Sequence, residues 1–79
     1  MNEHKAHLEE FEKNQRWFTQ NFKDIVKNYR DRFVAVWNQK IIDVDENLKQ
    51  LSIKVKKKTM NAKGVYIGYA SDKPVEMIL

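Results

Sequence analysis

The chain contains no cysteine, one proline and two glycines in 79 residues. Without cysteine there is no disulfide framework and no thiol nucleophile, and only His and carboxylate side chains remain as metal ligands, which argues against a structural zinc site. So few backbone breakers, with 42% apolar residues, exclude a low-complexity or collagen-like chain and predict a folded one. No apolar run approaches the roughly 20 residues of a membrane span, and the first 20 residues are charged and lack a signal-peptide core. The expectation is a cytoplasmic protein that does not enter the membrane. At 9.5 kDa the chain has room for one small domain, taken as residues 1–79, with residues 1–14 as a protruding or frayed helical extension.

What is present is organised by period. From about His4 to Arg30 there is no Gly or Pro, and Leu8, Phe11, Phe18, Phe22, Ile25 and Tyr29 recur three and four apart. This spacing predicts one long helix, with Gln15 at the single seam position that is not apolar and Trp17 and Val26 widening the stripe. Such a helix spans about 40 Å at 1.5 Å per residue, so its first turns overhang a domain this small.

At Phe33 the pattern changes. Phe33-Val34-Ala35-Val36-Trp37, Asn38-Gln39 and Lys40-Ile41-Ile42-Asp43-Val44 read as a β-hairpin. Asn38-Gln39 serves as a two-residue turn or as part of a longer loop, because Gln39 stands where Gly is preferred. A two-residue turn pairs Trp37 with Lys40, Ala35 with Ile42 and Phe33 with Val44 on one face, leaving Val34, Val36 and Ile41 on the other. Both faces are then apolar and both need cover.

Asp43 or Asp45 is placed to cap a second helix over residues 45–60, with Val44, Leu48, Leu51 and Val55 as its buried stripe. Leu51-Ser52-Ile53-Lys54-Val55-Lys56 also alternates as a strand does; the absence of breakers favours the helix. Val65–Ala70 reads as a third strand in which Gly68 marks a bulge or a close backbone approach, and Val75–Leu79 as a short fourth. The expected fold is α+β, in the order α-β-β-α-β-β, around a small mixed sheet of strand order 2-1-3-4.

Trp17-Phe18, Phe22, Tyr29-Arg30, Phe33-Val34-Ala35-Val36, Asn38, Ile41-Ile42, Gly68-Tyr69 and Pro74-Val75 together resemble a family of short prokaryotic, often archaeal, proteins of unknown function. The resemblance covers about residues 15–79. Its motifs are aromatic and apolar. The chain departs from the pattern at Asp31 and Gln39, where the family tends to carry turn glycines. The resemblance implies a helix, hairpin, helix, strand arrangement and carries no activity or cofactor.

Few residues suggest chemistry. His4 and His7 share a helical face, but two histidines near a terminus are a solvated pair more readily than a metal site. Asp43 and Asp45 suggest paired carboxylates, which helix capping explains equally well. No hydroxyl residue sits in a nucleophile elbow, and Gly64 and Gly68 form no phosphate cradle, so neither an enzyme nor a cofactor is expected.

Charge is uneven. Residues 33–79 carry eight lysines against five acids, and Lys49, Lys54, Lys56, Lys57, Lys58 and Lys63 follow one another with no acid between. Lys54, Lys57 and Lys58 are expected on a helix face opposite the Leu48/Leu51/Val55 stripe. Two functions from different classes follow. One is a protein-interaction module, through a second copy or another protein, using Trp17, Phe18, Phe22, Ile25 and Tyr29. The other is sequence-blind nucleic-acid binding through Lys54, Lys56, Lys57, Lys58 and Lys63.

Overall fold

The computed structural model describes residues 3–60 and 63–71, with side chains from Leu8 onward. The elements are α1 (Glu3–Gln20), α2 (Phe22–Tyr29), β1 (Arg32–Trp37), β2 (Lys40–Asp45), α3 (Leu48–Thr59) and β3 (Tyr66–Ala70). The three strands form one antiparallel sheet in the order β2-β1-β3. The crossover through α3 thus places β3 beside β1, as the sequence predicts. The expected fourth strand at Val75–Leu79 lies outside the described residues.

The apolar seam of residues 4–30 is helical but not one helix. At Asn21 (φ −107°, ψ 16°) the backbone leaves helical geometry. Both the Asn21 backbone N–H and its Nδ2 donate to the Trp17 carbonyl, at 3.0 and 2.9 Å. An asparagine side chain that competes for a backbone carbonyl divides the helix without Gly or Pro. The Ile25 N–H still donates to the Asn21 carbonyl at 3.0 Å, so α2 continues directly from the break.

α1 and α2 cover one face of the sheet. Phe18, Ile25 and Val26 pack there on Val34, Val36 and Ala70, with Trp17, Phe22, Tyr29, Ile41, Val44 and Tyr66 around them. Phe18 meets the rings of Phe22 and Tyr66 at 5.5 and 5.3 Å, separations at which tilted aromatic pairs attract. Gly68 lies beneath: a Cβ there would stand 2.7 Å from Phe18 Cζ and 2.9 Å from Tyr66 Cε2. Gly68 is therefore the close backbone approach anticipated above. α3 covers the other face, with Leu51 and Val55 on Ala35 and with Phe33, Ile42, Val65 and Ile67 around them. The result is three layers, helices, sheet, helix, with β1 buried at the centre.

The hairpin turn has two residues. Asn38 and Gln39 both take positive φ, 56° and 59°, as a tight turn matched to strand twist demands. Trp37 pairs with Lys40 as expected, but the register shifts between Ala35 and Val36, so that Ala35 pairs with Asp43 and Phe33 with Asp45. The extra residue is Ile42. A bulge of this kind turns two neighbouring side chains toward the same face. Ile42 and Asp43 accordingly both meet α3, while Val44 crosses to the α1 side. This corrects the expected pairing of Ala35 with Ile42 and of Phe33 with Val44, and removes Val44 from the stripe of the second helix.

Candidate binding surface around α3

α3 begins later than the sequence suggests. The bulge carries β2 on to Asp45, and the helix starts only after the bend at Glu46-Asn47. Its cap is Asn47, whose Oδ1 accepts the Gln50 N–H at 2.9 Å, and not Asp43 or Asp45. Asp45 accepts the Asn47 N–H at 2.8 Å, and Asp43 accepts its own neighbour's N–H at Val44, also at 2.8 Å. The helix ends at Met60, a left-handed residue (φ 56°, ψ 45°) whose N–H returns to the Lys56 carbonyl.

Lys54 and Lys58 lean toward β2. Lys54 Nζ lies 3.0 Å from Asp45 and 3.4 Å from Asp43, and donates to the Val44 carbonyl at 3.1 Å. Lys58 Nζ lies 3.5 Å from Asp43 and donates to the Ile42 carbonyl at 2.9 Å. The two side chains thus bridge α3 to the outer strand of the hairpin and occupy carbonyls of a sheet edge. Burial by itself would raise the Asp43 pKa, but the Val44 amide, Lys54 and Lys58 together outweigh it and hold the carboxyl below its ordinary value. The Asn47 amide and then Lys54 do the same for Asp45. The hydrogen bond that Lys54 donates to Asp45 leads in raising the Lys54 pKa.

The opposite flank of α3 has a different character. Lys49, Ile53, Lys56 and Lys57 lie away from the sheet at helical spacing, Met60 follows at the C-cap, and all five are exposed. Ile53 is 43% and Met60 85% exposed. At the hairpin end, between β2 and the last turn of α3, Trp37, Lys40, Ile41, Ile42, Lys58 and Thr59 line a cleft of about 400 Å³.

The structure separates the residues that the sequence analysis singled out. Phe18 and Ile25 are buried in the core of their own chain, and Trp17, Phe22 and Tyr29 pack half-buried around it. What remains exposed of the first seam is its N-terminal part, Leu8 and Phe11. Among the lysines, Lys56, Lys57 and Lys63 are exposed, whereas Lys54 and Lys58 are held by β2 instead of facing away from it with Lys57. His4 and His7 lie on α1, and their side chains are outside the described ones. Among the described residues no three His, Asp or Glu side chains converge on a point, and no helix is long and apolar enough to cross a membrane.

Asn14 is a residue that periodicity missed. It is fully buried, its Oδ1 accepting the Gln39 N–H and its Nδ2 donating to the Gly64 carbonyl, each at 2.8 Å. The only sequence signal is an asparagine one turn before Phe18, on the side of the helix that the sheet covers.

Sheet order, the two-faced core and the α3 crossover define a three-layered α+β domain of the smallest size. The chain belongs to DUF5678, a family of unknown function, whose pattern matches residues 24–73. The match runs from α2 through β3 and leaves α1 outside it. No curated protein and no solved structure matches the chain.

Proposed function

We propose that the chain is a non-enzymatic interaction domain that docks an acidic, amphipathic segment of another protein on the outward flank of α3. The observation that carries this reading is the pair Ile53 and Met60, exposed and seven residues apart, set among Lys49, Lys56 and Lys57. Ile53 lies on the helix and Met60 at its left-handed C-cap, so the two exposed apolar side chains mark the middle and the end of one flank, a spacing that suits the apolar anchors of a helical ligand. The lysines beside them complement acids on such a ligand and speed its encounter. Asp43 and Asp45 are engaged by Lys54 and Lys58 on the other flank.

The same facts weigh against a phosphate backbone as partner. A nucleic-acid surface gains from every free cation, and here two lysines are partly neutralised while two apolar side chains interrupt the rest. The non-enzymatic part of the reading rests on Asp43, Asp45 and Lys54. Each is shifted away from neutrality, the wrong direction for an acid or base at physiological pH.

The test is a titration of isotope-labelled protein with a Glu/Leu amphipathic helical peptide and, in parallel, with duplex DNA at low and moderate salt. Amide shifts with the peptide should centre on residues 49, 53, 56, 57 and 60. Ile53→Ser with Met60→Ser should weaken binding about tenfold. Unchanged affinity in that variant, or saturable binding of the DNA alone, overturns the proposal.

A further inference from the structure

The cleft at the hairpin end rests on different residues from the docking flank. Trp37 and Lys40 are register partners across β1 and β2, so the indole and the ammonium stand side by side on one face of the sheet. Trp37 is half-buried and forms a flat wall; Ile42, on the α3 side of the sheet, adds apolar surface, Ile41 borders the cleft from the neighbouring position, and Lys58 and Thr59 close the side toward α3. About 400 Å³ falls within the range of cavities that hold small organic molecules.

The charges decide what kind of molecule fits. Lys58 is balanced by Asp43 and tied to the Ile42 carbonyl. Lys40 is exposed and has no ion-pair partner among the described residues. The cleft therefore offers one uncompensated positive charge beside an aromatic wall. A polyanion would meet Asp43 at the Lys58 side, and a neutral ring would leave Lys40 unused.

We propose that this cleft binds a small planar monoanion, an aromatic carboxylate of two fused rings or similar size. Its ring lies against Trp37 and Ile42, and its carboxylate on Lys40. Ring packing on an indole and one half-exposed ion pair are individually weak, so affinity in the submillimolar to millimolar range is expected.

The probe is 2-naphthoate, titrated into the full chain at low salt, with 2-naphthylmethanol as its neutral counterpart. Saturable amide shifts should fall on residues 37, 40–42, 58 and 59. Lys40→Gln, which changes only an exposed side chain, should weaken naphthoate three- to fivefold and bring it level with the alcohol. No saturable shift at millimolar naphthoate, equal affinity in Lys40→Gln, or shifts centred on Ile53 and Met60 would each overturn the assignment.

Discussion

A single missing methyl group sets how closely α1 approaches the sheet. Gly68→Ala puts a carbon within 3 Å of two rings, and both belong to the core that Phe18 anchors. Overpacking of this kind costs about 1–3 kcal/mol, to be read as a lower urea midpoint with an unchanged slope. Gln39 presents the opposite case. It holds φ 59° with a side chain, a conformation that disfavours every residue except Gly and, less so, Asn and Asp. Gln39→Gly should stabilise the fold by about 1 kcal/mol, and the bond to Asn14 survives because it uses the backbone N–H. A loss of stability in thermal unfolding of this variant would mean that the Gln39 side chain contributes more than its strain. Asp31, the other residue at a position where the family resemblance favours glycine, also has positive φ, 62°.

At the scale of elements, α3 and β2 are joined by charge as well as by the packing of Leu51 and Val55. Asp43 and Asp45 have folded-state pKa values below their ordinary ones, so the unfolded chain binds more protons as the solution is acidified. Their contribution is complete above about pH 4 and is lost as the pH falls through the folded-state values. Lys54, raised by the same acids, contributes below about pH 10 and loses that contribution in stronger alkali, where burial of Tyr66 also opposes its ionisation and so costs stability. Urea midpoints between pH 7 and pH 2 should fall less steeply for the Asp43→Asn, Asp45→Asn double variant than for the native chain. Parallel curves would show that the cluster contributes nothing to stability. The elements themselves were largely legible: seam spacing marks the helices, β-branched runs mark the strands, and crossover length sets the sheet order. The bulge was not, because Ile41-Ile42-Asp43-Val44 alternates acceptably in either register, and only contact with α3 decides between them. That one-residue slip hid the pairing of Asp43 and Asp45 with the lysines, and with it the division of α3 into a tied flank and a free one. The break at Asn21 was equally hidden, since its cause is a side-chain bond and not a helix-breaking residue.

For the molecule as a whole, two helical layers hold a sheet that would otherwise be apolar on both sides, and Asn14 ties the layers together at one end. Its amide joins three stretches that are distant along the chain: α1, the hairpin turn at Gln39 and the approach to β3 at Gly64. One bond spans 25 residues of chain and the other 50, and contacts so distant in sequence are expected to form late in folding. Asn14→Ala leaves partly buried backbone groups without partners, a loss of about 2 kcal/mol. In stopped-flow measurements that loss should appear as about thirtyfold faster unfolding with refolding nearly unchanged. If refolding slows instead, the bonds are already present in the transition state. Faster unfolding with unchanged refolding would mean that Asn14 sets the lifetime of the native state and leaves the speed of reaching it to the hairpin and the aromatic core.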